Sequence, residues 1–440
     1  MGCLSKSVSI IVILLLTFSS TYVQGTSLNT EKPLTLKECI QIALENSSKI
    51  TIAKRSMDTA ELEVKDVRAK YLPKLNATAG YKVNDTYDKI EWTENHYDVS
   101  LSLTEIFYDN GKTPNEIKQA KARLESARLD FQEIQDEMTL EVIKSYYELL
   151  KAQGMLKVKG EGLKQAQTHL NLARARYDAG VAPKSDILKA EVEVGSSELD
   201  MISAENTLSL ALSDLNNCLG IDLTSLTSLT EEISLTGEIS LTGEMTLDEC
   251  LAYALKNHPE IKKAEINLKI DEINLKLKQK EVLPNITLEG NYNTDVDQFI
   301  NNKYDWDNAS DWEIGVKASV PIFDAGKSKR EVIKANINLS NTKSNTDQSK
   351  KDIALEVKKA YLTVKSQKKV IETTEKQVAQ TKESFESTQG RYKSGVAPIY
   401  EVIDAQASFN NAKTNYVKAI YDYQMAIFSL RKAMGGEICN

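Results

Sequence analysis

The stretch RYKSGVAPIYEVIDAQ spans residues 391–406, and a close relative, RYDAGVAPKSDILKAE, spans residues 176–191. Both contain Arg-Tyr, two variable residues and then Gly-Val-Ala-Pro. Glycine suits the left-handed residue that ends a helix, and proline suits the first turn of the helix that follows. Each copy therefore predicts the tip of an antiparallel helical hairpin. Their spacing of 215 residues indicates that a large unit is repeated.

Other short motifs recur in the same order along the chain, as expected of a tandem duplication. The matching pairs are 34–39 with 245–250, 72–73 with 283–284, 109–112 with 324–327, and 220 with 435. This order predicts a first structural repeat over 26–220 and a second over 245–435. A Ser/Thr-rich linker, 221–244, separates them, and 436–440 form a C-terminal tail.

The N-terminal residues have the composition of a secretory signal peptide. Lys6 precedes an apolar run over 8–18, and small and polar residues follow it as far as Gly25. We therefore expect residues 1–25 to be a signal peptide. No later stretch approaches the 18 consecutive apolar residues of a membrane-spanning helix. If the chain crosses a membrane, it is expected to do so without such helices.

Each repeat begins with a predicted helix and continues with two predicted strands. Thr-x-x-Glu capping boxes at Thr35 and Thr246 mark the helix starts, and the helices are expected to continue until just before Pro73 and Pro284. Apolar and polar residues then alternate with period two over segments long enough to cross a bilayer. The predicted strands are about 73–84, 96–107, 284–294 and 311–322. Aromatic residues around them favour membrane strands, although an ordinary half-buried hairpin alternates in the same way.

A very long helix follows each strand pair. Residues 112–178 contain no proline apart from Pro114, and their apolar residues follow a coiled-coil heptad. At 1.5 Å per residue, such a helix spans about 100 Å. Returning helices are expected over 183–218 and 398–434. The second repeat has Thr342, Thr346 and Ser349 in its heptad, so that face is expected to line water or to pack loosely.

Composition limits the possible functions. The net charge of −8 argues against a nucleic-acid partner. The three histidines have no carboxylate or thiol at metal-ligand spacing, and no phosphate-binding or hydrolase motif is present. The sequence therefore predicts neither an enzyme nor a bound cofactor or metal. The four cysteines beyond the signal peptide are too dispersed for a Cys-x-x-Cys site and are expected to be buried apolar residues.

Three interpretations fit this mainly α architecture with a minority of β structure. Four strands fall short of the about 8 needed for a membrane barrel, so the strand edges call for oligomerisation. Together with the signal peptide, this favours an outer-membrane pore continued by a periplasmic tunnel. A secreted structural coiled coil and a periplasmic scaffold, neither with a pore, remain alternatives.

The combined motifs resemble the TolC-like outer-membrane efflux protein family. They are the duplication, the Leu-Pro before each first strand, Phe-Asp-Ala-Gly-Lys at 323–327 and the two Arg-Tyr-x-x-Gly-Val tips. The resemblance implies a homotrimer with a 12-stranded β-barrel continued by an α-helical coiled-coil tunnel in the periplasm. It also implies a passive conduit of a tripartite efflux or type I secretion system. Its partners would be outer-membrane lipid, a periplasmic adaptor and an inner-membrane transporter.

The resemblance also assigns roles to residues at the tips. Glu401 and Asp404 match acidic residues that ring the periplasmic gate, and Asp186 lies near the first tip. Many relatives carry a basic residue after the second tip glycine that locks the closed state, whereas this chain has Val396-Ala397. The residues expected to dock the adaptor are Arg176, Tyr177, Gly180, Val181, Ala182, Pro183, Arg391, Tyr392, Gly395, Val396, Ala397 and Pro398.

Overall fold

The computed structural model describes residues 34–84, 94–221, 245–295 and 310–436. The predicted signal peptide, nearly all of the predicted linker and the last four residues lie outside the described residues. Within the described ranges, no helix has an apolar stretch of the length that a lipid bilayer requires.

The described chain consists of two copies of one element order: two helices, two strands, a very long helix and a returning helix. The first copy contains α1 (Leu36–Asn46), α2 (Ser48–Ala69), β1 (Lys74–Asn84), β2 (Glu94–Tyr108), α3 (Lys112–Asp178) and α4 (Lys184–Leu219). The second contains α5 (Leu247–Asn257), α6 (Pro259–Lys280), β3 (Asn285–Asp295), β4 (Ser310–Ser319), α7 (Lys327–Lys393) and α8 (Ile399–Ala433).

Both predicted capping boxes are confirmed. The amide of Glu38 donates to Thr35 Oγ1 over 3.3 Å, while Glu38 Oε2 accepts from the amide of Thr35 over 2.8 Å. The second repeat has the same pair of bonds at Thr246 and Glu249, over 3.4 and 2.7 Å. These bonds satisfy amides that have no partner within the first helical turn.

The prediction of one continuous helix before each strand pair is wrong, because the helix breaks after three turns. Ser47 and His258 adopt extended backbone, with ψ of 123° and 127°, between the two helices of each copy. In the second copy the cause is Pro259, which disfavours helical backbone in the residue before it. His258 then caps α6, since its Nδ1 accepts from the amide of Glu260 over 3.3 Å.

The four strands form one antiparallel sheet in chain order, β1-β2-β3-β4. The register aligns Leu75 with Leu103, Leu101 with Tyr292, and Tyr292 with Trp312. Because side chains alternate between the faces of a strand, these residues share one face. That face is apolar and open in a single chain, where Trp312 is 74% exposed. β4 ends at Ser319, before the predicted residue 322.

The long helices α3 and α7 each contain 67 residues, which corresponds to about 100 Å. α4 packs along α3, α8 packs along α7, and α8 also packs on α3, so the neighbour order towards the tips is α4-α3-α8-α7. Towards the strands, α2 and α6 flank α3, and α6 also packs on α7. α3 is continuous through Gly162, where a Cβ atom would lie 2.9 Å from Asn410 Nδ2. This glycine therefore lets α8 approach closely.

The polar heptad of the second repeat borders a cavity of about 520 Å³ between α6 and α7. Thr342, Thr346 and Ser349 line it, and Thr342 Oγ1 donates to Asp271 over 2.6 Å. At the corresponding positions of α3, Phe131 and Ile134 pack against the core of the first repeat. The two repeats thus have the same backbone arrangement, but apolar side chains pack at these positions in the first repeat and polar side chains border a cavity in the second.

The described cysteines, Cys39, Cys218 and Cys250, are free thiols. Cys39 and Cys250 are buried at equivalent positions of α1 and α5, and Cys218 is partly buried. Burial, followed by the charge of Glu38, raises the pKa of the Cys39 thiol to about 12. These thiols are therefore packing groups rather than nucleophiles.

Candidate functional site at the hairpin tips

The two tips have the same backbone. Gly180 and Gly395 adopt φ of 73° and 78°, the left-handed conformation that closes a helix. The amide of Val181 donates to Arg176 O over 3.0 Å, and the amide of Val396 donates to Arg391 O over 2.9 Å. The tip prolines stand one residue before the returning helices, as N-caps.

The side chains at the two tips are arranged differently. Arg176, at the end of α3, reaches across to the second tip, where its Nη1 donates to the main-chain oxygen of Tyr392. Its guanidinium carbon also lies 4.7 Å from the centroid of the Tyr392 ring, in cation–π geometry. Tyr392 is 1% exposed, and Gly395 leaves the space in which the guanidinium lies. We call this contact between the two repeats the Arg176–Tyr392 clasp.

Arg391, the equivalent of Arg176, and Tyr177, the equivalent of Tyr392, face outward. Arg391 is half exposed and pairs with Glu401 of its own hairpin, with a distance of 3.3 Å between Nη1 and Oε2. Tyr177 is 43% exposed. The repeated Arg-Tyr dipeptide therefore contributes its arginine from the first copy and its tyrosine from the second. The sequence reasoning missed this contact, since both dipeptides have identical letters.

The Arg176–Tyr392 clasp covers an apolar cluster that joins the two hairpins. Phe385 and Phe409 stack with ring centroids 5.9 Å apart, and Ile399 and Val402 are fully buried. Other members of the cluster are Ala173, Ala190 and Tyr392. Burial of this kind stabilises by about 1.5–3 kcal/mol for each large side chain.

The predicted docking residues fall into two groups. Tyr392 and Ala397 are buried, and Arg176 is partly buried in the clasp. The exposed residues are Tyr177, Gly180, Val181, Pro183, Arg391, Gly395, Val396 and Pro398, and Ala182 is partly buried. Val181 and Val396 are 64% and 70% exposed, so each tip presents an apolar side chain to its surroundings.

The three predicted gate acids lie near the starts of the returning helices, Asp186 and Glu401 in the first turn and Asp404 in the second. Glu401 and Asp404 are one turn apart on α8, and Asp404 is exposed. Asp186, on α4, faces the second tip: burial raises the pKa of Tyr392, and the charge of Asp186 raises it further. Asp404 likewise contributes, after burial and Asp200, to a raised pKa of Glu193 on α4. The structure therefore brings acids of both hairpins towards the same region.

Nothing in the described part of the chain gathers three His, Cys, Asp or Glu side chains in a way that could hold a metal ion. The arrangement instead suits a mechanical and electrostatic role. At their tips the two hairpins are joined by the Arg176–Tyr392 clasp and the apolar cluster, and carboxylates lie near this junction.

A duplicated helical rod with strands at one end and hairpin tips at the other defines the class of tunnel-forming export channels. The family model described as outer membrane efflux protein matches residues 39–221 and 251–436. The chain therefore belongs to the outer membrane efflux protein family.

Individual relatives agree with this assignment. Outer membrane protein TolC of Vibrio cholerae serotype O1 is 22% identical over 406 residues, covering 91% of this chain and 90% of that protein. Nodulation protein T of Rhizobium leguminosarum bv. trifolii is 22% identical, covering 86% and 80%.

Solved structures show the same fold. The CusC structure superposes with a TM-score of 0.82 at 19% identity, covering 95% of this chain and 96% of that one. VceC of Vibrio cholerae gives a TM-score of 0.75 at 16% identity, covering 92% and 96%. The predicted TolC-like fold, the outer-membrane location and the channel function are confirmed, and the pore-free alternatives are set aside.

Proposed function

We propose that three copies of this chain form a passive export conduit that is closed at its hairpin tips. The observation that carries the proposal is the pair of open edges on each chain. β1 and β4 are the edge strands of the sheet, and exposed strand edges need partners. Three copies supply 12 strands, enough to close a membrane barrel.

The helical edges support the same assembly. In the order α4-α3-α8-α7, the outer faces of α4 and α7 have no neighbour within the described chain. Both helices carry exposed apolar residues, among them Leu199 at 70% on α4 and Leu362 at 51% on α7. α4 contains seven acidic and two basic residues, whereas α7 contains 16 basic and eight acidic residues. The acidic edge of one copy thus complements the basic edge of the next.

The gate is proposed at the second tip. Three copies of Glu401 and Asp404 would place about six carboxylates around a narrow mouth, where the field is focused and cations accumulate. Asp186 would add to this charge from the first tip. The Arg176–Tyr392 clasp, which lies beside the second tip glycine Gly395, would hold the two hairpins of each chain together. Opening then requires the hairpins to separate.

Docking of a periplasmic adaptor is proposed on the exposed tip residues. Val181, Val396 and Tyr177 offer small apolar contacts at the end of the rod. Arg176, Tyr392 and Ala397 are withdrawn from this surface, and we assign them to the closed tip instead. An inner-membrane transporter would supply the energy, because the chain shows no nucleotide-binding motif.

The test is assembly and conductance of the purified mature protein. Native mass spectrometry in detergent is expected to show a trimer, and planar bilayers are expected to show a small, cation-selective conductance in the closed state. A monomer that gives no conductance under any condition would contradict the proposal.

A further inference from the structure

His169 is a buried histidine that the proposed gate does not use. It lies on α3, about three turns before Gly180, and is 3% exposed. Its ring meets that of Phe385 on α7 edge to face, with centroids 5.9 Å apart. Neither ring nitrogen has a hydrogen-bond partner among the described residues. A buried imidazole without partners is costly, so its retention in an apolar cluster calls for an explanation.

The surroundings of His169 belong to the seam that joins the two repeats. Gln165 lies one turn away on α3, and its Oε1 is also buried without a partner in the described structure. Gln406 on α8 is fully buried; its Nε2 donates to Gly162 O over 3.1 Å, and its Oε1 is unpartnered within the described residues. The seam beside His169 therefore contains buried polar atoms that have no hydrogen-bond partner within the described residues.

The charged groups around His169 give it no counter-ion. On α7, Lys393 is a cation that disfavours protonation of the imidazole. Arg174, five residues further along α3, pairs with Glu191 of α4 over 2.9 Å, and Lys413 of α8, which lies over the Phe409 ring, pairs with Glu161 of α3 over 2.6 Å. Burial, followed by Lys393, lowers the pKa of His169. No carboxylate contributes to the pKa of His169, so none offsets a charge formed there.

We propose that His169 is a proton-triggered release for the closed tip: its protonation places an uncompensated charge in the buried seam and separates the hairpins. The inference rests on the proposed function, in that the tip closes a channel. Protons of the medium are the ligand, and the seam between α3, α7 and α8 is the element that responds.

The direction follows from linkage. The closed state holds the imidazole neutral, whereas separated hairpins expose it to water, where its pKa is about 6.5. The open state therefore binds more protons, and acid favours it. Closure is fully stable above about pH 6.5 and weakens as the pH falls, with the open-to-closed ratio rising by at most about tenfold per pH unit for each imidazole.

The experiment compares His169→Leu with the unmodified protein in planar bilayers between pH 7.5 and 4.5. The unmodified channel is expected to open by about tenfold or more over this range, and His169→Leu is expected to stay closed. Glu401 and Asp404 are intact in both proteins, so their titration cannot produce a difference. Equal acid responses in the two proteins would overturn the inference.

Two further measurements keep the inference separate from the proposed function. His258→Asn, which retains a capping group at the far end of α8, is expected to respond to acid like the unmodified protein. A cysteine pair placed across the tips would report hairpin separation by cross-linking, without conductance. If the cross-linking yield falls as the pH is lowered in the unmodified protein but not in His169→Leu, acid-triggered separation of the hairpins is supported even if no channel is recorded. A cross-linking yield that does not depend on pH in either protein would refute it.

Discussion

Arg176 and Tyr392 come from the two copies of one repeated dipeptide, and in the folded chain the arginine of the first copy lies over the ring of the second copy's tyrosine. A duplication normally gives equivalent residues equivalent roles. Here the equivalent pair, Arg391 and Tyr177, faces outward instead. The difference provides a matched test of the tip, because both arginines can be removed from the same backbone.

Arg176→Ala is expected to loosen the closed tip. It removes a hydrogen bond to Tyr392 O and a partly desolvated cation–π contact, together worth about 1–3 kcal/mol. We therefore expect the open probability in planar bilayers to rise by about tenfold. Arg391→Ala removes an exposed ion pair with the gate acid Glu401, worth about 0–1 kcal/mol, so a smaller rise is expected and this variant serves as the comparison. Equal effects of the two variants would exclude the clasp.

The architecture could be predicted from sequence because it depends on local signals that occur twice. Capping boxes, period-two strands, proline-free heptads and the Gly-Val-Ala-Pro tips each specify their element through backbone chemistry. The fold class and the long helices followed directly. The break at Ser47 was missed because serine there is compatible with a continuing helix, although Pro259 in the second copy carried the signal.

The side-chain contacts of the tip could not be predicted in the same way. The burial of Tyr392 and the exposure of Tyr177 depend on how the two hairpins pack against each other, and this is a tertiary property of the chain. His169 likewise gives no local sign of being buried. Because the Arg-Tyr dipeptides of the two copies are identical in sequence, only their tertiary packing distinguishes the buried tyrosine from the exposed one.

The gate acids are expected to determine how strongly divalent cations block the conductance. Glu401→Gln combined with Asp404→Asn removes about six charges from the mouth of a trimer. Block of the conductance by Mg²⁺ should then weaken by about tenfold or more, since the focused field that concentrates cations is lost. Glu191→Gln on α4 removes an acid that lies outside the proposed gate ring and should leave the block unchanged. Unaltered block in the double variant would place the gate elsewhere.

Two equivalent glycines should differ in their tolerance of alanine. Gly220 and Gly435 both adopt φ of 67°, which costs a residue with a side chain about 1–2 kcal/mol. A Cβ atom at Gly220 would lie 3.4 Å from Asn46 Cβ, an ordinary contact, whereas one at Gly435 would lie 2.5 Å from His258 Cα. Gly435→Ala is therefore expected to lower the free energy of unfolding by about 3 kcal/mol or more. Gly220→Ala is expected to lower it only by the cost of the left-handed backbone, about 1–2 kcal/mol. Denaturant unfolding measures the stability of both variants. Equal losses of stability would show that a Cβ atom at position 435 does not clash with His258.

The proposed interface between neighbouring chains of the trimer should be weakened by an aspartate placed on either of its two helices. Leu199→Asp on α4 and Leu362→Asp on α7 each remove an exposed leucine from a face with no neighbour in the described chain, and burial of such a residue is worth about 1.5–3 kcal/mol per seam. The new carboxylate on α7 would also reduce the positive charge of that helix, whereas the new carboxylate on α4 would enlarge a negative charge that attracts α7. Leu362→Asp should therefore dissociate the trimer more readily, as measured by native mass spectrometry against dilution. Val181→Asp alters a tip residue of similar exposure and should leave the trimer intact.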